Sequence, residues 1–181
     1  MAWSTPLTAA ANAALTAAQW NAIVRDNLLT TAPALASGAG QIWVSTAANA
    51  GAMRTPGFGH TTASQTTTSV GTFVDLATVG PAVTVTTGVS AITTHGANAS
   101  NSTNGASAVM SYAISGATTL AADATRQYRV ISATGGDQFR ATVTHFVPSL
   151  TAGSNTFTAK YTTGSGGTAT FSERHLIVFP L

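Results

Sequence analysis

The chain has 181 residues and no cysteine, with 7% charged and 44% apolar residues. An ordinary globular domain carries about a quarter charged residues, so the composition disfavours a lone monomer with an ion-rich surface. It favours a subunit whose surface is largely taken up by other copies. Seven Lys and Arg against five Asp and Glu give a formal charge of +2, and the basic residues are scattered. That excludes the basic stripe with stacking aromatics that a nucleic-acid partner requires.

Without cysteine no disulfide staples the fold, and stability must come from burial and assembly. The opening "MAWSTPLTAA" lacks the basic region and apolar core of a secretory signal. No apolar run reaches the ~20 residues of a membrane helix. The expectation is a protein made in the cytoplasm, with no membrane insertion.

The first element is a helix over about residues 16–29, in "LTAAQWNAIVRDNLL". Thr16 with Gln19 forms a capping box, and Leu15 with Trp20 is placed for a hydrophobic staple. Trp20, Ile23, Val24 and Asn27 fall on one narrow face, and Pro33 stops the helix soon after. About fourteen residues is marginal for an isolated helix in water, so this one needs a surface to lean on. A loose "TTAPALASGAG" separates it from the rest, and all three tryptophans lie in the first quarter of the chain. Large aromatics anchor interfaces. The reading is a docking segment built on Trp3, Trp20, Ile23, Val24, Asn27 and Leu28, the alternative being a helix packed on its own domain.

This stretch resembles the N-terminal signature of minor tail and tail-fibre-like proteins of tailed bacteriophages, especially those of actinobacteria. A Trp-containing leader there often precedes a helix of the form T-A-x-x-W/F/L-N-x-x-V/I-R-D-N-L. Trp3, Thr16, Ala17, Trp20, Asn21, Val24, Arg25, Asp26, Asn27 and Leu28 match it. The following "GQIWVSTAANAGAMRTPG" resembles the strand-and-loop collar between such a leader and its distal domain. The resemblance implies a virion protein whose first 59 residues attach to the particle and whose residues 60–181 form a separate domain.

From residue 60 onward, runs of Val, Thr, Phe and Tyr alternate with Gly, Asn, Pro and Ser breaks. Strands are predicted near 61–68, 72–79, 82–87, 89–95, 107–115, 126–133, 138–147, 154–162 and 168–179. This regular spacing indicates an antiparallel β-sandwich, jelly-roll-like in size. Two-residue alternation puts Ala108, Met110, Tyr112 and Ile114 inward, with Phe157, Ala159 and Tyr161. It groups Phe139, Ala141, Val143, His145 and Val147 on one face. The last strand, "FSERHLIVFPL", is apolar on both faces: Phe171, Ile177 and Phe179 on one, Leu176 and Val178 on the other. Two-sided burial marks a central strand or one pressed against another subunit. His145, His175, Ile177, Phe179 and Leu181 are therefore assigned to an oligomer interface. The closing strands also resemble those of phage distal knobs with a tumour-necrosis-factor-like jelly roll, which implies a homotrimer.

No catalytic constellation emerges. There is no H-E-x-x-H, no G-x-S-x-G elbow, no P-loop and no paired carboxylates at a useful spacing. The expectation is a non-enzyme with no cofactor and no metal. Glu173 and His175, two residues apart, are placed to pair. "HGANASNSTNGAS", residues 95–107, reads as a long exposed loop with an Asn-Gly turn. Asn98, Asn101 and Asn104 are its candidates for touching a host surface, including a cell-surface glycan.

The sequence therefore points to a non-enzymatic virion structural protein, with other virion proteins and its own copies as partners. A minor tail protein leads; a head decoration or capsid fibre would need the same plan. A carbohydrate-binding module is more distant. Such modules present aromatic platforms, and residues 60–181 contain no Trp, while Tyr112 and Tyr161 are predicted inward.

Overall fold

The computed structural model describes residues 13–29, 31–48 and 50–181; Trp3 lies outside them. The chain divides into two compact units at Thr55–Pro56. This is four residues before the expected boundary, because "GFGHT" is already a strand of the second unit.

In the first unit, α1 (Ala17–Trp20) runs into a π-helical turn (Asn21–Arg25) and then α2 (Asp26–Leu28). The capping box forms as read: Thr16 Oγ1 accepts from the Gln19 backbone N–H at 3.2 Å, and the Thr16 N–H donates to Gln19 Oε1 at 2.9 Å. The π-turn bonds the Asp26 N–H to Asn21 O, and the Asn27 side-chain amide donates to Ile23 O at 2.9 Å. No residue of the helix is buried: Ile23, Val24 and Asn27 are half-buried, while Trp20 and Leu28 are 55% and 59% exposed. A short α3 (Ala32–Leu35) follows, then a hairpin of β1 (Ile42–Ala47) and β2 (Ala50–Arg54). Gly51 lies against the Trp43 indole, where a side chain would overlap the ring.

The second unit is an antiparallel sandwich of β3 (Gly57–Thr61), β4 (Gln65–Thr67), β5 (Ala82–Thr87), β6 (Ala91–Asn101), β7 (Ser107–Gly116), β8 (Tyr128–Ile131), β9 (Phe139–Val147), β10 (Gly153–Thr163) and β11 (Ala169–Pro180). One sheet runs β3-β11-β6-β9, with β4 also on β11; the other runs β5-β10-β7-β8. Leaving out the short β4, these are strands first-eighth-third-sixth and second-seventh-fourth-fifth. That interleaving is the jelly-roll order.

The core sits between the sheets in two clusters. Met110, Tyr128, Tyr161 and Phe171 pack with the small Ala97, Ala99, Ala108, Ala159 and Ala169. Val83, Val85, Tyr112, Ile114, Phe157, Leu176 and Val178 form the other. The inward set of β7 and β10 is as read from the alternation, and Tyr128 is buried as well.

Three expectations change. Residues 72–79 make no strand; only Val74 bridges Tyr161, with backbone bonds of 2.8 and 2.9 Å. Residues 95–101 are strand, not loop, so only 102–106 turn between β6 and β7. Their Gly, Ala and Asn have low β propensity, but β6 is a central strand, and pairing on both sides outweighs propensity. Finally, a bulge between Ser172 and His175, with Glu173 at φ 49°, resets the side-chain parity of β11. Phe171 therefore faces the core with Leu176 and Val178, opposite Ile177 and Phe179.

Candidate self-association face

An antiparallel sheet with one solvated face ordinarily shows polar residues there. The outer face of β5-β10-β7-β8 follows that rule: Thr84 and Thr156 bond across strands at 2.8 Å, beside Thr158, Lys160 and Ser115. The outer face of β3-β11-β6-β9 does not. Phe58 pairs with Ile177, and Ile177 pairs on its other side with Thr94. In the next row Phe179 pairs with Ile92, and Ile92 with Phe146. Five apolar side chains thus lie contiguous across four strands. Phe58 and Phe146 are 66% and 58% exposed, and Phe179 is also exposed.

A polar row borders this patch. His60 pairs with His175, His175 with Gly96, and Gly96 with Thr142. The Phe58 and His60 rings stack with centroids 6.1 Å apart. His60 Nε2 lies 3.0 Å from a Glu173 carboxylate oxygen, and His175 Nε2 lies 3.2 Å from Thr142 Oγ1. Glu173 therefore pairs across the strand with His60 rather than with His175 along its own strand. Gly96 is required here, since a Cβ would overlap the Ala141 carbonyl on β9.

Of the residues assigned to an interface from sequence, His175, Ile177 and Phe179 share this face. His145 does not: it has the parity of Val143 and Val147 on β9, is half-buried, and its Nε2 contacts Thr125 O. Leu181 follows β11 and is half-buried. Phe58, Ile92 and Phe146 were missed. Their signal was an apolar residue at a position whose alternation calls for a polar one, as in "THF" of β9.

No protein-family model matches the chain, and no curated protein matches it. Among solved structures, the Eiger TNF from S. frugiperda is similar at 11% identity. The match covers 71% of this chain and 92% of that one, with a TM-score of 0.46.

The assigned tip-loop residues are scattered through the end of the sandwich. Asn98 is half-buried in β6, 3.3 Å from Gln138 Oε1. Asn101 is fully buried: its amide donates to Ser107 O and Gly166 O, both at 3.1 Å, and its Oδ1 accepts from the Thr103 N–H at 3.0 Å. Only Asn104 is in a turn and exposed, and its Oδ1 accepts from the Gly135 N–H at 2.6 Å. These side chains are spent holding neighbouring loops together.

Among the described residues no group of three or more metal-ligating side chains forms, and no helix is long and apolar enough to cross a membrane. His95 is the most perturbed histidine. It is buried against the edge of Tyr112, ring centroids 5.2 Å apart. Burial, then repulsion from His145, lowers its pKa to about 4. It is a neutral core group.

Proposed function

We propose that this chain is a non-enzymatic bacteriophage virion structural protein, a minor tail protein in plan. Its front segment docks to the particle, and its jelly roll assembles with two further copies through the outer face of β3-β11-β6-β9. The supporting observation is apolar surface left uncovered in two places of different character. The front helix carries the phage-tail-like signature and leaves Trp20 and Leu28 exposed, with no residue of its own buried. The sandwich exposes the Phe58–Ile177 and Phe179–Ile92–Phe146 rows in a chain with almost no charge. Contiguous apolar patches of this kind mark interaction surfaces. On a sheet face they suit a second copy, because a closed cyclic assembly buries the same patch on every subunit.

Two measurements test this. Light scattering on purified protein should give three chains per particle at micromolar concentration; a clean monomer removes the assembly. Deleting residues 1–40 should leave the sandwich folded but excluded from virions. Incorporation of the truncated chain would show that the helix is not the anchor.

A further inference from the structure

The hydroxyl-bearing outer face of β5-β10-β7-β8 is not flat. Two segments rise from it with a groove between them over the middle strands, β7 and β10. One wall is Gly71–Phe73, and the other is residues 121–127. The Lys160 end is an open concavity of about 430 Å³, lined by Phe73, Ala113, Ala121 and Ala122. The Arg129 end encloses about 150 Å³, lined by Phe73, Gln127, Thr162 and Thr163. From Lys160 to Thr163 along β10 is about 10 Å at 3.3–3.4 Å per residue, the span of a short oligosaccharide.

Both walls are fastened to the sheet. Thr163 N–H donates to Ser69 O at 2.7 Å, Gly71 N–H to Thr163 O at 3.1 Å, and Ser69 Oγ to Thr72 O at 2.8 Å. Opposite, Ser111 Oγ donates to Asp123 O at 2.9 Å. Arg126 is pinned by Asp123 at 3.1 Å and by the Ala121 carbonyl. The groove is therefore preformed, and a ligand would not have to order its walls. Its cations differ: Lys160 Nζ is held by Asp75 at 2.6 Å, whereas the exposed Arg129 guanidinium has no hydrogen-bond or ion-pair partner among the described residues.

We propose that this groove binds a saccharide carrying an anionic group, with the sugar face against Phe73 and the anion on Arg129. The alanines leave room for a ring, and the half-buried Gln127 amide offers a paired donor and acceptor. Strand addition by a peptide is disfavoured because it needs an open strand edge, and the groove crosses the two middle strands. Nucleic acid would need more than one unpaired cation and one stacking ring. This rests on the host-surface part of the reading above, but its readout is independent of assembly.

Three probes are titrated into full-length protein and followed by amide chemical shifts: a hyaluronan tetrasaccharide (carboxylate), maltose 1-phosphate, and neutral maltotetraose. At least one anionic probe should bind about tenfold more tightly than maltotetraose, the contribution of one charge-assisted contact, and shift residues 71–73 and 121–129. Which of the two binds better separates a uronic acid from a sugar phosphate. Arg129→Gln should remove that preference, and Ala121→Trp, at an exposed position, should block all three probes. No binding of either anionic probe at millimolar concentration overturns the proposal. So does equal binding of maltotetraose, unchanged binding by both variants, or shifts confined to residues 98–104. Failure here with an intact trimer would sink the saccharide site alone; loss of the trimer with saccharide binding retained would sink the assembly alone.

Discussion

The Arg174 guanidinium lies over the Tyr161 ring, 5.5 Å from its centroid, fully buried and without an ion-pair partner among the described residues. One nitrogen donates to Gly80 O at 3.2 Å and to Thr78 O at 3.4 Å, while Nε and the other terminal nitrogen lack acceptors. The bulge at Glu173 points this side chain inward. A buried cation without a carboxylate costs several kcal/mol of desolvation, and the ring and two carbonyls offset only part of it. Arg174→Met keeps most of the volume and removes the charge. It should hold stability level or raise it by about 1–4 kcal/mol, measured by urea denaturation. A loss of similar size would show that the guanidinium is better satisfied than this geometry allows.

His95 makes stability depend on acid. Its folded pKa of about 4 lies below the ordinary 6.5, so the unfolded chain takes up the proton first. The stabilisation is complete above pH 6.5 and declines as pH falls from 6.5 through about 4. The full loss is about 3 kcal/mol at 1.36 kcal/mol per pKa unit. His95→Leu, which leaves no unpaired ring nitrogen, should flatten the stability curve across that window. An unchanged slope would assign acid sensitivity to other groups.

Sequence pattern located most of the sandwich because strands with clean alternation, such as "SNTFTAKYTT", carry their burial in their period. It missed β6 beyond His95, because Gly96, Ala97, Asn98 and Ala99 have the composition of a loop. They are in a strand because β11 and β9 pair with this segment on its two sides, and the small Ala97 and Ala99 pack in the core with the large Tyr128 and Phe171. It misjudged β11 because one left-handed residue, Glu173, reverses parity without a glycine to announce it. The exposed apolar face was half legible. His175, Ile177 and Phe179 stood out on a two-sided apolar strand. Phe58, Ile92 and Phe146 join them only through strand order, which alternation does not encode.

The reassignment of Asn101 from tip loop to interior has a direct consequence. Its side chain bonds three separate stretches, at Thr103, Ser107 and Gly166. Asn101→Ala strips those partners in a fully buried site and should cost about 2–4 kcal/mol. Asn104→Ala, in the exposed turn, should cost under about 1 kcal/mol. Comparing melting curves of the two variants checks the contrast; equal, small effects would return Asn101 to the surface.

Phe58 and Phe146 stand at opposite margins of the apolar patch, on β3 and β9, and both are more than half exposed. Replacing either with Asp removes little core packing, so the melting temperature of the separated sandwich should barely move. In the assembly each would bury a charge against apolar neighbours. Each variant should weaken self-association by about 100-fold, near 3 kcal/mol, seen as a shift toward monomer in sedimentation velocity. Thr84→Asp on the hydroxyl-bearing sheet should leave the mass unchanged. Equal dissociation by all three would mean that the patch has no special role.

Trp20 separates the docking reading from simple packing. Its indole is exposed in a helix with no buried residue, so the helix gains little from its own unit, and a partner has a large apolar ring to cover. Truncating such an anchor typically costs 2 kcal/mol or more of binding. Trp20→Ala should therefore lower incorporation into virions by at least about tenfold, quantified by immunoblot of purified particles. The melting temperature of the sandwich should stay within about two degrees, because ΔΔG within ±0.5 kcal/mol is usual for an exposed site. The measurement needs both readouts on the same preparation. Parallel loss of stability and incorporation would mean that the ring packs within the free protein, and the helix would then be a structural element rather than a grip.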